Sequence, residues 1–436
     1  MGYKAYPDYK ESGVEWVSAI PKHWEIRRLK FMATIQNGRD YKEVESDDGF
    51  PVIGSGGQFT WASEFLYNGE SVLFGRKGTI DKPLHISGKF WTVDTMFYSV
   101  IHPDVFGRYL YYFSTIFQYE KLATQTALPS ITQHDLGNYF LCYPYTNEQK
   151  LIANFLDHKT AQIDSLIEKK RELIEKLQEQ RIAAITHAVT KGLGKLAPMR
   201  ESGIDWLGDI PAHWDIRKLR FVLSKNFTNG LFKKAEFWGQ GNKIINVFDV
   251  YIHNDVVNED DLDSVECSEE EAAQYSAIHG DFFLVRSSLK LAGIGKSATV
   301  INPLDNLVFE CHLVRGRPDL NLVDVRFLNL FLNSKYAREY FISRANSVTM
   351  ATIDQTKFKD LLITLPCKAD QIQIVRIIDA QLSRLDAMVD KNKNTVTRLQ
   401  EYRTALITAA VTGQIDVRDW QAPEPIQEPE ADKDVA

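Results

Sequence analysis

Residues 11–31 read ESGVEWVSAIPKHWEIRRLKF, and residues 201–221 read ESGIDWLGDIPAHWDIRKLRF. Twelve of the 21 positions are identical at an offset of 190, and most of the rest exchange like for like. A second pair lies at an offset of 222: LQEQRIAAITHAVT at 177–190 against LQEYRTALITAAVT at 399–412, identical at 10 of 14 positions. The order is the same in both copies, so the chain is an imperfect internal duplication. Its ends agree and its middles differ, and the second copy holds 32 more residues between its repeated ends.

The ends read as helix. Residues 149–191 and 368–412 contain neither Gly nor Pro, with Pro144 and Pro366 before them and Gly192 and Gly413 behind, which predicts two long helices. Thr146 with Gln149 fits a capping box for the first; Lys368 stands at the matching place in the second, where Asp370 is an alternative start. Steps of four and three put Leu156, Thr160, Ile163, Ile167, Lys170, Ile174, Leu177, Arg181, Ala184 and Ala188 on one face. In the second helix they pick out Ile378, Leu382, Leu385, Val389, Asn392, Val396, Leu399, Arg403, Leu406 and Ala410. This is a coiled-coil stripe, interrupted by polar residues at the same two places in both copies. The pair is expected to pack antiparallel and, at about 1.5 Å per residue, to form a spacer of about 60 Å. Two unrelated core helices are the plainer alternative.

The middles read as strands and turns: GFPVIGSGGQFTWA and ESVLFGRKGTIDKPLHISGKFWTVDTMFYSVI in the first, IINVFDVYI, GDFFLVRSS, SATVINP and LVFECHLVRG in the second. The expected fold class is α/β (α+β): two modules of mixed β-sheet and helices, separated by the two long helices, with internal pseudo-twofold duplication. The boundaries drawn are 1–145, 146–200, 201–366 and 367–415, followed by an acidic tail, 416–436, expected to be disordered.

With 436 residues and 44% hydrophobic content the chain can build sizeable cores. No apolar run is long enough for a membrane span and the N-terminus shows no secretory signal, so the expected location is the cytoplasm. Four scattered cysteines lack the spacing of a disulfide framework or a zinc site. The net charge of -7 is local: residues 255–271 hold nine acids and no base, and the tail adds five net negatives. DNA binding therefore stays open.

No catalytic set assembles. GIGKS at 293–297 ends like a phosphate-binding loop, but Lys290 stands where the first glycine belongs. Asn302-Pro303 continues as Leu-Asp, not as the Pro and aromatic residue that grip a flipped base. Asp104 with Glu148 and Lys150 fits a nuclease only loosely, and His23 and His213 recur inside I-P-x-H-W as structural residues would. Binding remains. Arg76 and Lys77, between Gly75 and Gly78, put two cations on a tip suited to phosphate or guanine edges; the second module has Arg286, Ser287, Ser288 and Lys290 there. Ser130, Thr132, Gln133 and His134 match Thr352, Asp354, Gln355 and Thr356, side chains that can read base edges. A solvated basic turn and a capped turn compete with these readings.

At these residues the sequence resembles the specificity (S) subunit of type I restriction-modification enzymes. The openings Trp16 to Trp24 and Trp206 to Trp214, the helix ends ITHAVTKG and ITAAVTGQ, and the two divergent middles carry the resemblance over nearly the whole chain. It implies that the middles are target recognition domains, each reading one part of a bipartite asymmetric site on double-stranded DNA. It further implies that the helices form an antiparallel coiled coil that docks two methyltransferase (M) subunits, in a complex with restriction (R) translocase/nuclease subunits. No catalysis, cofactor, metal or membrane is implied for this chain; the partners would use S-adenosylmethionine, ATP and Mg2+. The spacer stripe is then Leu156, Ile163, Ile167, Ile174, Leu177 and Arg181 against Ile378, Leu385, Val389, Val396, Leu399 and Arg403. Two other readings stand beside it: a nuclease or DNA methyltransferase carrying its own duplicated recognition modules, and a coiled-coil adaptor without DNA.

Overall fold

The computed structural model describes residues 3–124, 127–194, 197–252, 262–301, 303, 307–347 and 349–422. The expectation for the tail from residue 423 on, and that part of the acidic run at 255–261, lie outside the described residues. The chain forms two units, Met1–Arg171 with Asn394–Ala436, and Glu172–Lys393. The long helices are Thr146–Lys191 and Lys368–Val411, and each is divided between the units. Packing thus divides both helices near their middles, at 171/172 and 393/394.

In the first unit the opening segment forms a hairpin, Tyr9–Val14 with Val17–Pro21, and then a strand, Glu25–Arg28, antiparallel to Phe140–Tyr143. That second pairing ties the opening to the segment that leads into the first long helix. Between them lies an antiparallel sheet in the order Leu84–Ile86, Ser71–Gly75, Met96–Ile101, Ala33–Asn37. A second sheet contains a parallel pair, Phe50–Gly54 beside Lys89–Thr92. The helix Gly107–Ser114 buries Tyr109, Leu110, Tyr112 and Phe113, neighbours at helical spacing that pack into the core.

The second unit repeats this plan with different residues. Its opening pairs Met199–Glu201 with Asp209–Pro211, and Asp215–Lys218 lies antiparallel to Leu362–Leu365. Its antiparallel sheet runs Ser297–Thr299, Phe282–Val285, Leu313–Pro318, Leu223–Asn229, the same order as in the first unit. A parallel pair, Trp238–Ile245 beside Val308–Phe309, again sits in a separate sheet. Middles that share little sequence thus share the order of this four-stranded sheet, and each keeps one strand, Ser71–Gly75 or Phe282–Val285, buried throughout inside it. Part of the acidic run is structured: Ser268 and Glu271 form a capping box on Glu269–Gln274, and the Glu271 carboxylate accepts from Lys233 at 2.8 Å.

The long helices bury the predicted stripe. Ile163 and Ile167 share the core of the first unit with Leu406, Ile407 and Ala410, and Val396 and Leu399 pack against it. In the second unit Leu177, Ile185 and Ala188 share a core with Ile378, Leu382, Leu385 and Val389. The two arginines that interrupt the stripe pair across the helices: Arg403 donates to Asp164 at 2.9 Å, and Arg181 to Asp386 at 3.1 Å. From Asp164 to Arg181 along one helix the partner steps back from Arg403 to Asp386, as antiparallel register requires. These two ion pairs are copies of each other under the 222 offset.

The predicted capping box does not form. Thr146 lies inside the helix and its hydroxyl donates to Asp104 O at 2.7 Å, while the Gln149 amide donates to Pro144 O at 2.9 Å. The second helix starts at Lys368, so Asp370 is not its cap. Gln371 instead repeats Gln149, donating to Pro366 O at 2.8 Å, and both glutamines are fully buried. The preceding elements lock each of them further: Gln149 accepts from the Phe106 amide at 2.8 Å and Gln371 from the Asp324 amide at 2.6 Å.

Candidate nucleic-acid interface

In each module the basic tip and the second candidate segment meet. The strand Ser71–Gly75 ends at Arg76, whose carbonyl accepts from the Ile131 amide at 3.0 Å; Phe282–Val285 ends at Arg286, whose carbonyl accepts from the Ile353 amide at 3.0 Å. Ile131 and Ile353 correspond at the 222 offset, so one hydrogen bond recurs in both modules. Beside it Lys77 bridges to Ser130, while Ser287 and Ser288 pair with Thr352 and Ala351. Arg76, Lys77, Ser130 and Thr132 are thereby gathered in the first unit, and Arg286, Ser287, Ser288, Thr352 and Asp354 in the second.

Several of these side chains are already engaged. Thr132 caps the helix Gln133–Gly137 by accepting from the Asp135 amide, and Asp354 caps Gln355–Lys359 by accepting from the amides of Thr356 and Lys357. The predicted competitor, a capped turn, describes both positions. The Asp354 carboxyl is held below its usual range: burial pushes it up, but the Lys357 amide and ammonium and the Thr356 amide outweigh this. Gln133 donates to Ile35 O at 3.1 Å, Gln355 to Asn229 at 2.8 Å, and His134 lies 3.1 Å from the Asn138 amide nitrogen. Arg76 is half-buried and reaches Asp94 O at 3.3 Å, whereas Lys77, His134 and Lys290 are exposed. GIGKS at 293–297 is the turn behind the second tip, with Gly295 at a φ of +68°.

The second tip is held from three sides. Ser288 Oγ lies 2.5 Å from the Tyr251 hydroxyl, accepts from the Lys290 amide at 3.1 Å and donates to Lys290 O at 2.7 Å. Arg338 donates to Ala292 O at 2.6 Å and also to Ile294 O. Burial holds its guanidinium down to about 10, and burial followed by the Arg338 charge lowers the neighbouring Lys296 ammonium. The tip presents Leu289, 84% exposed, and Leu291. Sequence reasoning missed Leu289 and Arg338: L-K-L in a hydrophobic stretch reads as part of a strand, and nothing local ties Arg338 to residues 292–294.

The carboxylates offered for a nuclease have other partners. Asp104 accepts from the Tyr143 hydroxyl at 2.6 Å, and Glu148 from Tyr6 at 2.7 Å with His23 at 2.9 Å. His213 likewise meets Asp370 at 3.2 Å. Among the described residues no group of three or more His, Cys, Asp or Glu is placed to hold a metal ion, and no helix is long and apolar enough to cross a membrane.

Residues 21–176 and 211–398 each match the type I restriction modification DNA specificity domain. The chain belongs to that family. It is 23% identical over 441 residues to the specificity subunit of the type I restriction enzyme EcoKI of Escherichia coli strain K12, covering 93% of this chain and 92% of that one. To the StySPI specificity subunit of Salmonella potsdam it is 23% identical over 438 residues, with the same coverage of 93% and 92%. A solved chain, from work on complex assembly and conformational transition of the type I R-M system, matches with a TM-score of 0.69 at 14% identity, covering 91% of this chain and 99% of that one. That last likeness is one of fold. Family and coverage make the chain a specificity subunit, a recognition component with no catalysis of its own, and set aside both the self-contained enzyme and the adaptor without DNA.

Proposed function

We propose that this chain reads a bipartite, asymmetric site on double-stranded DNA, one target recognition domain per half, within 1–145 and 201–366. The observation that carries the proposal is the pair of modules with one topology and unlike tips. A shared topology fits the same approach to DNA, and different residues on the tip fit different bases. Arg76 and Lys77 serve one half-site; Arg286 and Lys290 serve the other. The segments around Ser130 and Thr352 flank them.

The antiparallel helices act as the spacer that fixes the gap between half-sites. The repeated ends offer like surfaces and suit two copies of one partner, the methyltransferase subunit. The restriction subunits complete the complex. The partners supply S-adenosylmethionine, ATP and Mg2+ chemistry, and the assembly works where the chromosome is, in the cytoplasm.

Replacing Arg76 and Lys77 together by Ala, and separately Arg286 and Lys290, tests the assignment in the complex reconstituted with its methyltransferase. Each lost base contact is worth about 1–3 kcal/mol and relaxes one half-site, whereas a lost phosphate contact weakens all sequences alike and lowers the salt slope. Methylome mapping and salt titration read the two effects. If neither double variant changes site choice, affinity or salt dependence, these tips are solvated turns.

A further inference from the structure

A leucine that is 84% exposed is unremarkable on a mobile loop, but Leu289 stands on a fixed one. Ser288 turns the chain back on itself through both the amide and the carbonyl of Lys290, and the Gly293 amide donates to Lys290 O at 2.8 Å. Pairing of Ser287 and Ser288 with Thr352 and Ala351 anchors the rising side of the tip. Arg338 anchors the falling side through the carbonyls of Ala292 and Ile294, and it makes no ion pair among the described residues. Gly293 is packed so closely that a side chain there would meet the Tyr251 and Ser288 hydroxyls. A half-buried guanidinium committed to carbonyls, not to a carboxylate, fixes a backbone whose outermost side chain is apolar. Folding of the unit gains nothing from an apolar group left in water. The rigidity is useful only if that group meets something at a set place.

We propose that Leu289 is a specificity-determining contact that reads a thymine by its 5-methyl group in the major groove. The inference rests on the reading of this tip as a DNA-binding element. Lys290 beside it is the cation that would hold the tip to the phosphate backbone, and the thymine methyl is the one apolar group on a base edge in that groove. The first module has a counterpart of different origin: Leu128, 59% exposed, comes from the segment paired with the tip, with its Cδ1 3.7 Å from where a side chain on Gly78 would start. Each module therefore sets exposed leucine beside its basic tip, and in the second Leu289 is the more exposed of two.

The test uses the complex reconstituted with its methyltransferase, after methylome mapping has given the site. Duplexes carry deoxyuridine for thymine, one position at a time, through the half-site that the Arg286 and Lys290 variants affect. Removing one methyl should weaken binding of the parent about 3- to 5-fold at a single position, from a contribution of roughly one buried methylene. Leu289→Ala should bind the thymine and deoxyuridine duplexes equally there, at the parent's affinity for deoxyuridine. Because Leu289 is exposed, this variant keeps its fold, which exchange protection of residues 282–299 verifies. The proposal is overturned if Leu289→Ala keeps the discrimination, if no thymine in that half matters, or if the variant loses the methyltransferase subunit instead. Binding that ignores base sequence altogether would instead remove the underlying DNA reading, a different result.

Discussion

Each long helix ends in a left-handed glycine, and each glycine meets an opening segment, but the two joints are closed differently. In the second unit Gly192, φ +74°, lies against Pro211 and Trp214, and the chain runs directly from one to the other. In the first unit Gly413, φ +75°, lies against Pro21 and Trp24, which come from the other end of the sequence. A side chain on Gly413 would begin 2.3 Å from Pro21, so the close approach as well as the φ requires glycine. A joint between distant parts of a chain must overcome a larger loss of freedom than one between neighbours. The first unit has the contacts to do so. The Asp416 amide donates to Lys4 O at 2.7 Å, the Tyr9 hydroxyl to Gly413 O at 2.9 Å, Val417 is buried, and Arg418 lies over the Tyr6 ring at 4.9 Å. The second joint is simpler: Lys191 donates to Leu207 O at 2.9 Å, and Arg200 to Trp214 O at 2.7 Å. One sequence motif thus serves both a tethered and an untethered joint, and the differences lie in the residues outside the motif.

The strongest way to break this comparison is to remove the tryptophans. Trp24 is fully buried and Trp214 nearly so, and large-to-small changes at such sites remove about 3–5 kcal/mol. Trp24→Ala should strip hydrogen-exchange protection from residues 6–21 and 406–417 together, because nothing covalent keeps them adjacent. Trp214→Ala should lower protection in residues 185–192 and 207–214 by less, since the tether restores the encounter. Equal losses at both joints would show that the tether contributes nothing.

What the sequence disclosed follows the range over which each feature is encoded. The helices and their stripe were legible because period and the absence of Gly and Pro are local. The partners of Arg181 and Arg403 were not, because Asp386 and Asp164 lie off the stripe on the opposite helix. Thr146 with Gln149 matched a cap by spacing alone, yet the buried glutamine turns to Pro144 and Phe106. That each tip follows a strand was legible too, and Arg76 and Arg286 do follow Ser71–Gly75 and Phe282–Val285. That Arg76 and Ile131, or Arg286 and Ile353, share a hydrogen bond depends on chain pairing across many residues, which no local pattern announces. Exposure is the same kind of property, and Leu289 was invisible for that reason.

A shortened chain gives a smaller effect of the same kind. Ending it after Gly413 keeps the glycine but removes Val417, 1% exposed, and Trp420, which packs edge-on against Phe155 at 5.3 Å. At about 1.5–3 kcal/mol for a fully buried side chain, and less for one partly covered, the loss should be about 2–3 kcal/mol of protection in the first unit. Protection in the second unit should stay as it was. Ending the chain after Ala422 should change neither. If the longer truncation leaves residues 3–21 as protected as before, the helix glycine and the opening hold the joint by themselves.

The smallest effect sharpens the comparison by pH. Asp416 accepts from the Arg418 guanidinium at 2.9 and 2.7 Å and from its amide at 3.1 Å, and has no counterpart at the second joint. Those hydrogen bonds, with the Arg418 charge, hold its carboxyl below the ordinary 3.8 despite partial burial. A carboxyl with a depressed value in the folded state stabilises that state above 3.8, and the stabilisation disappears as pH falls through the depressed value. Arg418 is itself 43% exposed, so screening keeps the contribution to about 1 kcal/mol or less. Asp416→Asn should therefore weaken protection of the first unit slightly at neutral pH, weaken it less in high salt, and match the parent once the parent's carboxyl is protonated. The second unit serves as the internal reference in the same sample. A deficit that persists unchanged into acid would mean that Asp416 acts through the two-oxygen hydrogen-bond geometry toward Arg418, which an amide cannot reproduce, leaving its charge no part in closing the joint.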